Sequence, residues 1–276
     1  MKNQDKKDLE ILEKWVRHLK LQTHYDREYK IISFIEKQLQ KVPKDIRDNI
    51  FKEVDQGYFY MYHFINSSQL QSDFRNKIIE SGKIFHNEIR KIEDMKKLKL
   101  AQIRYIVDYE IAKHRLLAAT QGAMVGTSYT PLLLSDIPVN AAINLKAIQC
   151  IANTYGYNTY NPFEMMILLR VYQASILPEN LLYIAFEEIQ NEISKHDVMP
   201  VFFEGSEELT NTSWLVQSLR YVLKGLCLYT LRNKKVEGIP ILGIGIGGLI
   251  NYHHSKKITE FAHNFYQYRF LKEKLI

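Results

Sequence analysis

Apolar residues recur at three-to-four spacing through most of the chain. Leu9, Leu12, Val16 and Leu19 mark an amphipathic helix over 5–21, and Ile31, Ile35 and Leu39 mark a second over 26–41. Pro43 interrupts the pattern, and a third helix runs from Asp45 through Ile65, broken at Ser67 and Ser68; a fourth begins near Gln69. The charged stretch from Ile84 to Arg104 predicts one long helix or two joined near Met95. Asp136 followed by Pro138 opens a helix carrying Ala141, Ala142, Leu145, Ile148 and Ala152, which closes at Gly156. Asn161 reads as the cap of the next helix, with Pro162 in its first turn and Glu164 reaching back to the cap. Pro178 opens a helix through Ser194, and His196 to Ser206 reads as a loop. Leu215, Leu219, Val222, Leu223 and Leu226 share one face of a long helix ending in a polar turn, Arg232 to Gly238. Ile258, Phe261, Ala262 and Phe265 define a final amphipathic helix. Nothing before residue 115 alternates with period two, so the expected fold is an all-α multi-helix bundle. Its first 84 residues form amphipathic helices packed on a main helical domain of 85–276.

Two stretches depart from this amphipathic pattern. From Leu116 the chain turns small and apolar, with Gly122 and Gly126 four apart; Gly238 to His254 is denser still, with Gly243, Gly245, Gly247 and Gly248. Glycine costs a helix about 1 kcal/mol relative to alanine, so such runs persist where a second backbone must come close. The two segments are therefore expected to be helical and to pack on each other. Ile239 to Ile250 would extend only about 18 Å as a helix against a hydrocarbon core of roughly 30 Å, too short to span a bilayer.

With 46% apolar and 25% charged residues the composition is that of a protein able to bury a substantial core. The N-terminal stretch is charged and lacks the apolar core of a signal peptide, which points to the cytoplasm. Cys150 and Cys227, both in apolar surroundings, read as buried thiols. The net charge of +6 comes wholly from residues 1–118, where 24 Lys and Arg face 18 Asp and Glu. Its densest cluster is Arg90, Lys91, Lys96, Lys97, Lys99 and Arg104; a second pair, Lys256 and Lys257, follows the glycine run. These are either solvated helix faces or contacts to an anionic membrane surface, while nucleic acid is not the expected partner.

Hydrolase, zincin, zinc-finger and P-loop signatures are absent, and the GxGxGG within the glycine run lacks the strand that a dinucleotide fingerprint requires. No cofactor or metal is expected. Glu110 and His114 stand four apart, a spacing that reads as a surface pair. The best polar constellation is Asp136, Asn251, His253 and His254, which borders both glycine segments and would converge into a ligand site if they pair. Adjacent histidines on a helix point about 100° apart, so both cannot face one ion.

Two blocks carry a family resemblance. AATQGAMVGTSYTPLLLSDIPVNAAINLKAIQCIANTYGYNT holds a small-residue segment, then Asp136-Ile137-Pro138, then Tyr155-Gly156-Tyr157; the second, from Gly238 onward, ends its glycine run at Asn251 and continues with Ala262, Phe265 and Arg269-Phe270-Leu271. In these features the chain resembles the EcsC protein family, a bacterial family named for a gene beside an ABC transporter implicated in secretion and competence. The resemblance implies a non-enzymatic helper or regulator of an ABC-type transporter or secretion system, with that transporter or another membrane protein as partner, peripheral on the inner face of the cell membrane. Two alternatives stay open: an enzyme acting on a lipid or peptide at the membrane surface, and a cytoplasmic helical protein-binding module. The resemblance transfers no catalytic residue.

Overall fold

The computed structural model describes residues 2–23, 31–125, 137–198, 213–237 and 244–275. Every regular element among them is helical: α1 (Lys2–Leu21), α2 (Ile31–Gln40), α3 (Lys44–Asn66), α4 (Ser68–Lys83), α5 (Leu100–Val125), α6 (Ile137–Thr154), α7 (Pro162–Ser175), α8 (Leu182–Val198), α9 (Ser213–Glu237) and α10 (Ile244–Leu275). Short 3-10 helices at Ile92–Lys97 and Glu179–Leu181 precede α5 and α8.

Helix α6 is the axis of the bundle. Its residues are buried on nearly every side, and α3, α4, α5, α7, α9 and α10 all pack against it. A sequence of Ala, Ile, Leu and Asn with a lysine at its middle permits this, because a helix apolar all round is stable only when enclosed. Its end is fixed by backbone geometry. Gly156 takes φ +86°, Tyr157 N–H donates to the Ala152 carbonyl at 3.0 Å, and Gly156 N–H donates to that of Asn153 at 2.9 Å. That pairing satisfies carbonyls left open at a helix end and favours glycine at the left-handed position. A Cβ on Gly156 would also lie 2.5 Å from Lys96 Cγ.

Helix α10 is the second organiser. Its 32 residues run along α5, their most extensive partner, and also touch α1, α6 and α7. The described part of the glycine run, from Ile244, and the final amphipathic helix, read from the pattern as separate, are one continuous helix. Likewise α5 passes through the change of composition at Leu116 without a break, because polarity follows the neighbour a helix faces and not its continuity. Residues 232–237, expected as a turn, belong to α9. The stretch from Ile84 to Arg104 is neither one helix nor two. A turn leads into the 3-10 helix, held where the Asp94 carboxylate accepts from the backbone N–H groups of Arg90 and Lys91 at 3.0 and 3.1 Å. Such side-chain acceptors compete with helical hydrogen bonding.

Asn161 caps α7 as expected, its Oδ1 accepting from Phe163 N–H at 2.8 Å with Pro162 in the first turn. Glu164, however, does not return to the cap. Its carboxylate forms a two-pronged ion pair with the Arg269 guanidinium of α10 at 2.7 and 2.8 Å, with Arg269 also over the Tyr157 ring at 4.0 Å. The N-terminal helices join the same body, α1 lying on α8 and α10, and α2 and α3 on α9.

Candidate functional site

The expected approach of the two glycine segments is realised at Gly248. A Cβ there would stand 2.9 Å from the Ala119 carbonyl oxygen and 3.4 Å from Ala123 Cβ, both on α5. Gly122 is buried on α5, and Gly245 and Gly247 lie within α10, while Gly126 and Gly243 fall outside the described residues. Close contact needs small residues on both helices, and here the alanines of α5 supply the second set.

The polar constellation divides. Asp136 lies outside the described residues, and His253 is exposed. Asn251 Nδ2 donates to Gln121 Oε1 at 2.8 Å, an amide bridge from α10 to α5. His254 turns the other way, into the core: its Nδ1 is 3.3 Å from Asn140 Oδ1 on α6, and its ring stacks on Tyr229 of α9 at 4.5 Å. Asn144 Nδ2 also donates to Asn140 Oδ1, at 2.7 Å. Neighbours in sequence separate because each step along a helix rotates the side chain by about 100°.

Burial pushes the His254 imidazolium pKa down to about 3 from 6.5, helped by the Lys257 charge. The unfolded chain takes up this proton near 6.5 and the folded protein does not, so the contribution of His254 to stability is complete above that pH and is lost progressively as pH falls toward 3. Urea unfolding at stepped pH should lose about 1.4 kcal/mol per pH unit from this residue across that window. In His254→Gln the slope should be shallower by one proton; an unchanged slope would show that His254 protonates as readily folded as unfolded.

On the outer side of the α5/α10 pair an open cleft of about 430 Å³ is lined by Asp108, Ala112 and Arg115 from α5 and by Tyr252, Glu260 and His263 from α10. Arg115 Nε donates to Thr259 Oγ1 at 2.9 Å, and its Nη2 stands 3.8 Å from Glu260. His263 meets the Tyr155 hydroxyl at 3.2 Å and Gln267 Oε1 at 3.0 Å, with the Asp108 carboxylate 3.9 Å from its other nitrogen. Burial lowers the His263 pKa, and Asp108 opposes that shift. The same two helices expose large apolar side chains: Tyr105 (69%), Tyr109 (65%) and Leu116 (65%) from α5, and Leu249 (60%) from α10. Their spacings of four and eleven along α5 place the first three on one face. Sequence reasoning missed this cleft because each helix shows only its own half of it.

The basic residues are dispersed. Lys96 pairs with Glu273 at 2.8 Å, Lys97 with Asp94 at 2.9 Å, and Arg104 with Asp8 at 3.1 Å. Lys257 Nζ donates to the Leu177 carbonyl at 2.8 Å, and Lys256 lies 3.8 Å from Glu260. Arg90, Lys91 and Lys99 are exposed. No helix among the described residues is long and apolar enough to cross a membrane.

The pair Glu110 and His114, expected at the surface, is buried on the α6 side of α5. Both lie close to the thiol of Cys150, which is buried as expected, and Lys77 of α4 forms an ion pair with Glu110. The four-residue spacing was visible in the sequence; the facing cysteine on α6 was not.

The family model described as the EcsC protein family matches residues 6–271. The chain belongs to this family. The match takes in the N-terminal helices as well as the two glycine-bearing blocks. Among EcsC relatives, the chain is similar to "Protein EcsC" of Bacillus subtilis, 23% identical over 199 residues that cover 71% of this chain and 76% of that one. It is also similar to "Uncharacterized protein YdbA" of the same organism, 26% identical over 243 residues, covering 88% and 80%. No solved structure matches the chain.

Proposed function

We propose that this EcsC-family protein is a non-enzymatic accessory protein of an ABC-type transporter, working peripherally at the inner face of the cell membrane and docking through the α5/α10 flank. The observation that carries the reading is the exposure of Tyr105, Tyr109, Leu116 and Leu249 on α5 and α10, the two helices that line the cleft holding Asp108, Arg115 and His263. Solvent-facing aromatic and aliphatic side chains surrounding an arginine have the composition of a protein interface core. Lys96, Lys97, Lys256 and Lys257 of the basic clusters are engaged by partners within the chain, so the reading places recognition on apolar contact and not on attraction to anionic lipid. The transporter connection is the one that the family resemblance implies.

The test is a photo-crosslinking amino acid at position 116 or 249, activated in cells, with adducts identified by mass spectrometry. An adduct to a transporter subunit that disappears in Tyr109→Glu is the expected result. Adducts to lipid alone, or none above those formed from the remote exposed position Ile46, would overturn the proposal.

A further inference from the structure

We propose that Glu110, His114 and Cys150 form a binding site for a divalent transition metal of the zinc class, bridging α5 and α6. One donor atom from each, a carboxylate oxygen, an imidazole nitrogen and the thiol sulfur, lies within 4.8 Å of the other two, and all three residues are buried. Small rotamer changes bring such a set onto one ion, for which metal–nitrogen and metal–sulfur distances are about 2.0 and 2.3 Å. A second observation points to a ligand independently: His114 Nδ1 is buried and has no hydrogen-bond partner. Buried polar atoms are almost always satisfied, and a neutral imidazole carries one nitrogen lone pair that a metal ion can accept. Sulfur with nitrogen and one carboxylate suits zinc and its neighbours, and not magnesium or calcium.

The surrounding charges determine how the site would fill. Glu110 is neutralised by the ammonium of Lys77, whose side chain is 44% exposed and free to swing into solvent. A second cation, Lys146 of α6, also lies near Cys150, its Nζ 3.7 Å from the centre of the Phe74 ring on α4. A dication arriving with Lys77 still in place would meet net positive charge. If Lys77 leaves, the metal takes its role: one carboxylate, one thiolate and one dication sum to zero, so with Lys146 counted on both sides the exchange leaves the net charge of the buried site unchanged. Binding therefore displaces the Cys150 thiol proton to solvent and exchanges one cation, Lys77, for another. Three protein ligands leave a fourth position to a water molecule entering along the path that Lys77 vacates.

The probe is Co(II), added to the full-length protein after chelator treatment. The expected result is one cobalt per chain, with a thiolate-to-cobalt charge-transfer band in the near ultraviolet and tetrahedral visible bands. One proton should be released, read from the dependence of the calorimetric heat on buffer ionisation. Cys150→Ser should abolish the charge-transfer band while Cys227→Ser leaves it intact. Lys77→Met, which retains every ligand and removes the competing cation, should tighten binding by about tenfold. No charge-transfer band in the folded wild-type protein, a band that survives Cys150→Ser, or affinity unchanged or weakened in Lys77→Met would each overturn the assignment. Because wild type and Lys77→Met decide the matter between them, a Cys150→Ser chain that fails to fold does not shelter it.

Discussion

Glu164→Gln is expected to destabilise the folded protein by about 3 kcal/mol, because removing one partner of a buried ion pair leaves the other charge uncompensated. Arg269 is only 8% exposed, and two of its guanidinium nitrogens donate to the Glu164 carboxylate. Burial is the largest single influence and penalises the guanidinium, yet the hydrogen bonds and charge of Glu164, with Tyr157 and the charge of Glu273, together outweigh it and raise the Arg269 pKa. The remaining acceptor, Glu273, takes Nε at 3.0 Å but is itself 41% exposed, so it screens only part of the loss. The figure lies at the lower end of the usual range for that reason. Urea unfolding followed by circular dichroism reads it directly. The paired change Glu164→Leu with Arg269→Met should regain most of the stability, since apolar replacement of both partners removes the desolvation cost of each. A loss in Glu164→Gln below about 1 kcal/mol would mean that Arg269 finds water, and that α7 and α10 are held together by packing alone.

The second large effect concerns Gly248. Alanine there would gain about 1 kcal/mol of helix propensity. Against that gain, the new methyl lies 2.9 Å from the Ala119 carbonyl oxygen, a backbone atom that cannot rotate aside. Helices α5 and α10 must then separate locally, which overpacking data place at about 1 to 3 kcal/mol, so Gly248→Ala is expected to be net destabilising. Leucine at the same position should be worse, with the largest losses of amide protection from hydrogen exchange on facing turns of α5 and α10. A stabilised Gly248→Ala would show that the helices have slack at this point and that glycine is not there for close approach.

These two contacts illustrate what was legible in the sequence. The close helix contact was announced by glycine spacing, because a residue that costs helix stability signals a gain elsewhere. The Glu164–Arg269 pair was not announced. Glu164 sits three residues after an asparagine cap, a position with a sound local explanation, and the arginine that claims it is 105 positions away. Helix ends marked by Pro43, Gly156 and Asn161 were read correctly because backbone chemistry acts locally. Continuity of α10 is not legible in the pattern, because its glycine run and its amphipathic end differ in composition. The boundary near Leu116 marks where α5 leaves a charged environment for the close approach to α10. The candidate site follows the same logic: one helix displays Glu110 and His114, but only packing supplies Cys150, as only packing sends His254 to Asn140 and Asn251 to Gln121.

The long reach of α10 across the bundle also bears on how the chain is made. Helix α5 is synthesised well over a hundred residues before its principal neighbour, which at bacterial or eukaryotic translation speeds is a wait on the order of 10 s. Through that interval Ile111, Arg115, Ala119 and Ala123 of α5 have no α10 beside them. Contacts so distant along the chain also slow folding once synthesis ends. The nascent protein should therefore depend on a holding chaperone until α10 emerges, and a stalled chain ending near residue 240 should be found bound to one.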